Sequence, residues 1–167
     1  CRIIAIIGLM GVGRSTVGKK LAEELGYYFV DSDQEIEDNS KMSINQIFAQ
    51  KGEEHFRKYE KNIIKQIIER DENIVLSLGG GAFDNAETRN ILTQRCTILW
   101  LKAEIDTILF RIGSKNSRPL LNKQDKRKVL QDLIIKRYPN FENADIQIDT
   151  TTGTHDEIVA QIIEQLD

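Results

Sequence analysis

The stretch GLMGVGRST, Gly8–Thr16, has the residue types and spacing of a phosphate-binding loop. The template is Gly, four residues, Gly, Lys, then Ser or Thr. Gly8, Gly13 and Ser15 satisfy it. Glycine permits the dihedrals that turn successive N–H groups toward one anion, and Gly11 adds another point of close approach. A helix starting here would add the positive end of its dipole. Ser15 would ligate Mg²⁺ beside the terminal phosphates of ATP. Gly11, Val12, Gly13, Arg14, Ser15 and Thr16 are therefore the candidate nucleotide-binding residues. Arg14 departs from the template. It keeps the positive charge of lysine but replaces a compact ammonium with a wider planar fork. Arginine binds phosphate well, so ATP binding should tolerate the change better than the rate of transfer.

Taken singly, the other reactive residues have ordinary explanations. Asp31 and Asp33 suit the capping of a following helix. Arg57 lies in a charged helical stretch, where surface ion pairing is the usual role. Arg118 and Arg137 read as solvated charges, and His55 and His155 are too isolated to make a metal site.

The elements that must position these residues alternate. Arg2–Ile7 reads as a buried strand, Ser15–Leu25 as an amphipathic helix and Tyr28–Val30 as a second strand. Short helices are predicted at Asp33–Asp38 and Ser43–Gln50, the latter capped by Ser43, and a longer one at Glu53–Arg70. In the long helix Phe56, Ile63, Ile64, Ile67 and Ile68 turn inward. Asn73–Leu78 is a strand that stops at Gly79-Gly80-Gly81. A helix near Ala86–Thr93, a strand at Thr97–Leu101 and a helix at Glu104–Ile112 follow. Gly113–Asp125 shows no periodicity and reads as a mobile loop. Lys126–Tyr138 reads as a helix that stops before Pro139, Ile146–Ile148 as a last strand and Asp156–Leu166 as the closing helix. Alternation of this kind implies an α/β fold, a parallel sheet with helices on both faces.

Composition narrows the function classes. The chain has 167 residues with a net charge of -3, which argues against a general nucleic-acid binder. No apolar run approaches a membrane span, and Ile3–Ile7 is too short for a signal peptide. With 2 cysteines there is no disulfide framework, and a reducing cytosol is the plain reading. Cys1 stands where methionine would begin a chain, which suggests a few preceding residues. Length and the absence of linkers or repeats favour one domain over 1–167.

The order of motifs resembles the shikimate kinase family. GLMGVGRST is followed by DSDQEIE at Asp31–Glu37, GEEHFRKYE at Gly52–Glu60, LSLGGGAF at Leu76–Phe83, SRPLL at Ser117–Leu121 and KRYPNF at Lys136–Phe141. The resemblance implies a three-layer sandwich around a five-stranded parallel sheet of the P-loop nucleoside-monophosphate-kinase type. It implies a cytoplasmic, usually monomeric enzyme that uses ATP and Mg²⁺ to phosphorylate the 3-hydroxyl of shikimate, a step toward chorismate and aromatic amino acids. A lid over about 113–125 would close on ATP, and a helical region over about 33–61 would bind shikimate.

The same resemblance assigns roles to residues. Asp33 would hold the ring hydroxyls and take the attacking hydroxyl's proton; Arg57 and Arg137 would bind the substrate carboxylate. Gly79, Gly80 and Gly81 would border the substrate, with Gly80 the best match. Asp31 would support Mg²⁺ together with Ser15. Arg118 would reach the transferring phosphoryl group, and Arg111 and Pro119 would flank adenine. The last adenine loop falls near Thr151–Gly153, where the match is poor. Two alternatives stay open: a non-catalytic nucleotide- or shikimate-binding module, motivated by Arg14, and a kinase for another small hydroxy acid such as gluconate.

Overall fold

The computed structural model describes residues 2–9, 11–113 and 123–166. β1 (Ile3–Ile7) is buried along its whole length. Ile3, Ala5 and Ile7 enter one hydrophobic cluster, and Ile4 and Ile6 enter another. That division follows from the two-residue period of a strand, and it makes β1 the centre of the sheet. The remaining strands are β2 (Tyr28–Asp31), β3 (Ile74–Ser77), β4 (Thr97–Lys102) and β5 (Ile146–Asp149). They form a 5-stranded sheet in the order β2-β3-β1-β4-β5, and every pairing is parallel.

Helices cover both faces. α1 (Arg14–Leu25) and α8 (His155–Leu166) place Val17, Leu21, Ile158 and Ile162 on the Ile4/Ile6 side. α2 (Ser32–Ser40), α3 (Ile44–Lys51), α4 (Glu53–Ile68) and α5 (Ala86–Arg95) cover the other side. The inward row expected in α4 is buried at all its positions, Phe56, Ile63, Ile64, Ile67 and Ile68. Ser43 caps α3 in a full capping box with Gln46. α6 (Ile105–Gly113) and α7 (Lys123–Phe141) complete the set. The architecture is the expected three-layer α/β sandwich.

Register fixes where the loops emerge. Asp31 is level with Ser77, and Ser77 with Ile6. The loops after β1, β2 and β3 therefore leave the sheet side by side at its carboxyl edge, where such folds bind ligands.

Several boundaries differ from the expectations. α7 runs through Pro139 to Phe141 instead of stopping before it. Proline forfeits one backbone hydrogen bond in a helix. Packing keeps the last turn in place: Trp100 meets Tyr138 at 4.9 Å and Phe141 at 5.5 Å between ring centroids. α7 also begins at Lys123, and Gly113 belongs to α6, so the ends of the expected loop are helical. The rest of that segment, with Arg118 and Pro119, lies outside the described residues. The 3-10 turn at Ala82–Asp84 had no periodicity to reveal it.

Candidate active site

The phosphate loop joins β1 to α1. Gly13 is the N-cap of α1 with φ 88°, a left-handed conformation that glycine adopts without strain. Leu9 and Val12 are buried, at 1% and 2% exposure, and pin the loop from beneath. The first turn of α1 contains no acidic residue of its own, and the N-terminus of a helix favours an anion. Arg14 folds back across its own loop: its Nη1 donates to the Gly8 carbonyl at 2.6 Å. Burial lowers the Arg14 pKa, the charges of Asp33 and Asp31 oppose that shift, and Arg137 adds to it. A guanidinium stays charged under such shifts at ordinary pH.

Asp31 does what a cap does and more. Its Oδ1 accepts from the amides of Asp33 and Gln34, at 2.9 and 3.3 Å. Its Oδ2 accepts from Ser15 Oγ at 3.3 Å. An alcohol and a carboxylate thus meet at the first turn of α1. Such a hard-oxygen pair suits Mg²⁺, which takes few protein ligands and keeps several waters. Among the described residues no group of three or more His, Cys, Asp or Glu could hold a metal.

Asp33 does not cap. It lies against Gly79, where a Cβ would collide with its carboxylate. The whole glycine run works this way. A Cβ on Gly80 would stand 3.2 Å from Arg137 Nη1 and 3.9 Å from Arg14 Nη1, and one on Gly81 would collide with the Arg57 guanidinium. Gly79-Gly80-Gly81 is a floor on which Asp33, Arg137, Arg14 and Arg57 rest. The Gly79 amide is held by buried Ser32 Oγ at 3.0 Å. Burial, with the Asp31 charge adding to it, raises the Asp33 pKa against the pull of Arg14 and Arg57.

Arg57 is more than a surface ion pair: its Nε stands 3.8 Å from the exposed Glu53, but its closer partner is buried. Its Nη1 donates to Glu60 Oε1 at 2.9 Å, and the Glu60 side chain is only 2% exposed. Burial raises the Glu60 carboxyl to about 7, against the pull of Arg57.

A cavity of about 160 Å³ opens between Asp33, Arg57, Gly79–Gly81 and the apolar side chains Ile44, Phe48 and Phe56. A larger open groove of about 560 Å³ runs between α1 and α8. Its charged lining is mostly acidic, Glu23, Glu24, Asp156 and Glu164 with Lys20, and the phosphate loop does not reach it. The smaller cavity is the candidate site because Asp33 and Arg57 line it and Arg137 and Arg14 lie beside its Gly80.

On the opposite flank of the loop, Arg111 Nη1 donates to the Gly11 carbonyl at 3.3 Å, and its Nη2 to the Thr150 carbonyl at 2.7 Å. It ties the phosphate loop to the segment that leads into Thr151–Gly153.

The structure brings together Arg14, Ser15, Asp31, Asp33, Arg57, Gly79–Gly81 and Arg137 from distant parts of the sequence. Sequence reasoning passed over Ile44, Phe48, Glu60 and Ser32. Ile44 and Phe48 have the helical spacing of core residues. Glu60 stands one turn after Arg57, and that spacing was the available signal.

With this geometry in view, the relationships to known proteins are specific. The family model for shikimate kinase matches residues 10–167. The chain belongs to the shikimate kinase family. A curated shikimate kinase from Mesorhizobium japonicum is 40% identical over 165 residues, which cover 99% of this chain and 81% of that protein. The crystal structure of shikimate kinase from Acinetobacter baumannii in complex with shikimate matches with a TM-score of 0.89 and 34% identity, covering 99% and 92% of the two chains. A gluconokinase from Sinorhizobium meliloti shares the fold, with a TM-score of 0.71 at 18% identity over 99% and 91% of the chains. Family membership makes the chain a small-molecule kinase, a phosphotransferase acting on shikimate. No helix among the described residues is long and apolar enough to cross a membrane.

Proposed function

We propose that the cavity between Asp33, Arg57 and the glycine floor receives shikimate, and that the loop Gly11–Thr16 holds ATP with its terminal phosphate directed there. The observation that carries this reading is the convergence of one carboxylate and three guanidinium groups on Gly79–Gly81. An anionic polyol needs such a set: arginines for its carboxylate and an acceptor for its hydroxyls.

In this reading Arg57 and Arg137 take the carboxylate. Asp33 orients the 3-hydroxyl and accepts its proton as the bond to the γ-phosphorus forms and the bond from that phosphorus to the bridging oxygen breaks, releasing ADP. Burial raises its pKa above the usual carboxylate value, which strengthens it as a proton acceptor. Positioning contributes more than base strength, because the phosphoryl transition state is loose. The loop amides and the N-terminus of α1 hold the phosphate oxygens. Arg14 adds a charge beside them; the second charge, assigned to Arg118, rests on the family resemblance alone, because Arg118 lies outside the described residues. Arg111, with Pro119, borders adenine. Ser15 and Asp31 would hold Mg²⁺, which when bound neutralises phosphate charge. The region 33–61 forms the substrate side; the assignment of about 113–125 as a lid rests on the family resemblance alone. This reading takes a monomer as the working unit, as the family resemblance implies. The low cysteine content supports a cytoplasmic setting.

The test is ADP release from Mg-ATP with shikimate, beside gluconate. Shikimate-dependent turnover supports the reading. Binding of shikimate without turnover at high enzyme concentration, or faster turnover of gluconate, would overturn it.

A further inference from the structure

Asp84 belongs to the 3-10 turn after the glycine floor and has no role in the reading above. Its Oδ2 accepts from Arg137 Nε at 3.3 Å, and Lys136 Nζ stands 3.8 Å from the same oxygen. The Arg137 and Asp84 side chains are 12% and 17% exposed. The turn that carries Asp84 is anchored. The Asp84 amide donates to the Gly81 carbonyl at 3.1 Å. Arg89 Nη1 donates to the carbonyls of Phe83 and Asp84, at 3.0 and 3.4 Å. Phe83 packs edge-on against Phe141 at 6.0 Å, which fastens the turn to the end of α7. Asp84 Oδ1 is buried and has no hydrogen-bond partner among the described residues. That is a cost to the fold rather than a support for it.

A guanidinium can meet a carboxylate side-on, through Nε and one Nη, or end-on, through both Nη atoms. In Arg137 the Nε is engaged by Asp84, while Nη1 lies against Gly80 in the floor of the cavity. We propose that Asp84 is the positioning residue of Arg137: it holds Nε and leaves the Nη end to recognise the substrate carboxylate end-on. This rests on the reading of Arg137 as a carboxylate ligand. A second effect acts the other way, because the negative charge of Asp84 reduces the pull on an anion. Asparagine separates the two, since it is neutral but keeps an oxygen that can accept from Nε.

The experiment is steady-state kinetics on the full chain with Mg-ATP and shikimate. It compares Asp84→Ala, Asp84→Asn, Arg137→Ala and the Asp84→Ala/Arg137→Ala double variant. Asp84→Ala should raise the shikimate KM about five-fold, the size of one lost hydrogen bond, with kcat and the ATP KM unchanged. Asp84→Asn should return that KM to within about two-fold of the parent, and the alanine effect should vanish without Arg137. If Asp84→Ala does not fold, Asp84→Ser, too short to reach Nε, should show the same KM shift. Parental kinetics in Asp84→Ala overturn the proposal. So does a KM lowered in both Asp84 variants, which would make Asp84 a counter-charge. So does a joint fall in kcat and thermal midpoint, which would make it structural. An Arg137→Ala enzyme with parental shikimate KM overturns the reading of the site itself.

Discussion

Arg57 donates to Glu60 at 2.9 Å along one face of α4, and the acceptor is almost fully buried. The pair couples a proposed substrate arginine to a carboxyl that titrates at about 7. Desolvation of Glu60 is the first cause of that value, and the attraction of Arg57 is too small to cancel it.

The sign of the pH effect follows. Glu60 binds its proton more tightly in the folded state than in the unfolded chain. The stability this contributes is fully present below about 4.5 and is lost as pH rises through about 7. Glu60→Gln removes the titration. The stability of that variant relative to the parent should therefore rise between pH 5 and pH 8, by on the order of 2 kcal/mol. Urea unfolding at intervals of pH measures it, and a difference that stays flat across the range refutes the assignment.

Arg14→Lys should speed phosphoryl transfer by about ten-fold, equivalent to about 1.4 kcal/mol of transition-state stabilisation. Arg14 donates to the Gly8 carbonyl through Nη1, whereas a lysine ammonium is compact enough to sit between the terminal phosphates. The shikimate KM should barely move. Single-turnover ADP formation is the readout. An equal or slower rate would mean that the guanidinium is already matched to this loop.

Gly81→Ala places a methyl group against the end of Arg57. The obstacle is the tip of a flexible side chain, so the fold can yield while Arg57 shifts. The shikimate KM should rise about ten-fold, equivalent to about 1.4 kcal/mol, while the ATP KM and thermal midpoint hold. Isothermal titration with shikimate beside a melting curve separates these effects. Parental affinity would show that Arg57 binds nothing in the cavity.

In the proposed reading Asp31 combines two roles, helix cap and metal support, that substitution can separate. Asparagine caps a helix about as well as aspartate, whereas alanine loses about 1 kcal/mol. Asp31→Asn should keep the thermal stability yet need several-fold more Mg²⁺ for half-maximal rate. Asp31→Ala should lose on both counts. A magnesium titration of Asp31→Asn that overlays the parent would remove Asp31 from the metal site.

Much of this was legible in residue order. The unbroken apolar run Ile3–Ile7 and the helical period of Phe56–Ile68 are local, and each is buried as expected. The loop Gly8–Thr16 was legible because its function resides in backbone geometry, which glycine spacing dictates. Pro139 was misleading. A local rule ended α7 there, while the contacts of Trp100 with Tyr138 and Phe141 carry the helix on. Asp31 and Asp33 looked alike on paper; only the fold sends one to the cap and Ser15, the other to Gly79.

The sequence by itself determined the elements, the phosphate loop and the family, because these depend on patterns within a few turns or on motif order. The tertiary structure alone decided which charges share a cavity. Register sets the ends of β1, β2 and β3 level, and the absence of three Cβ atoms at Gly79–Gly81 lets Asp33, Arg137 and Arg57 close on one point. Glu60 and Asp84 became visible only then. Their importance lies in distances to arginines, and a distance between side chains is a property of the fold and not of the string.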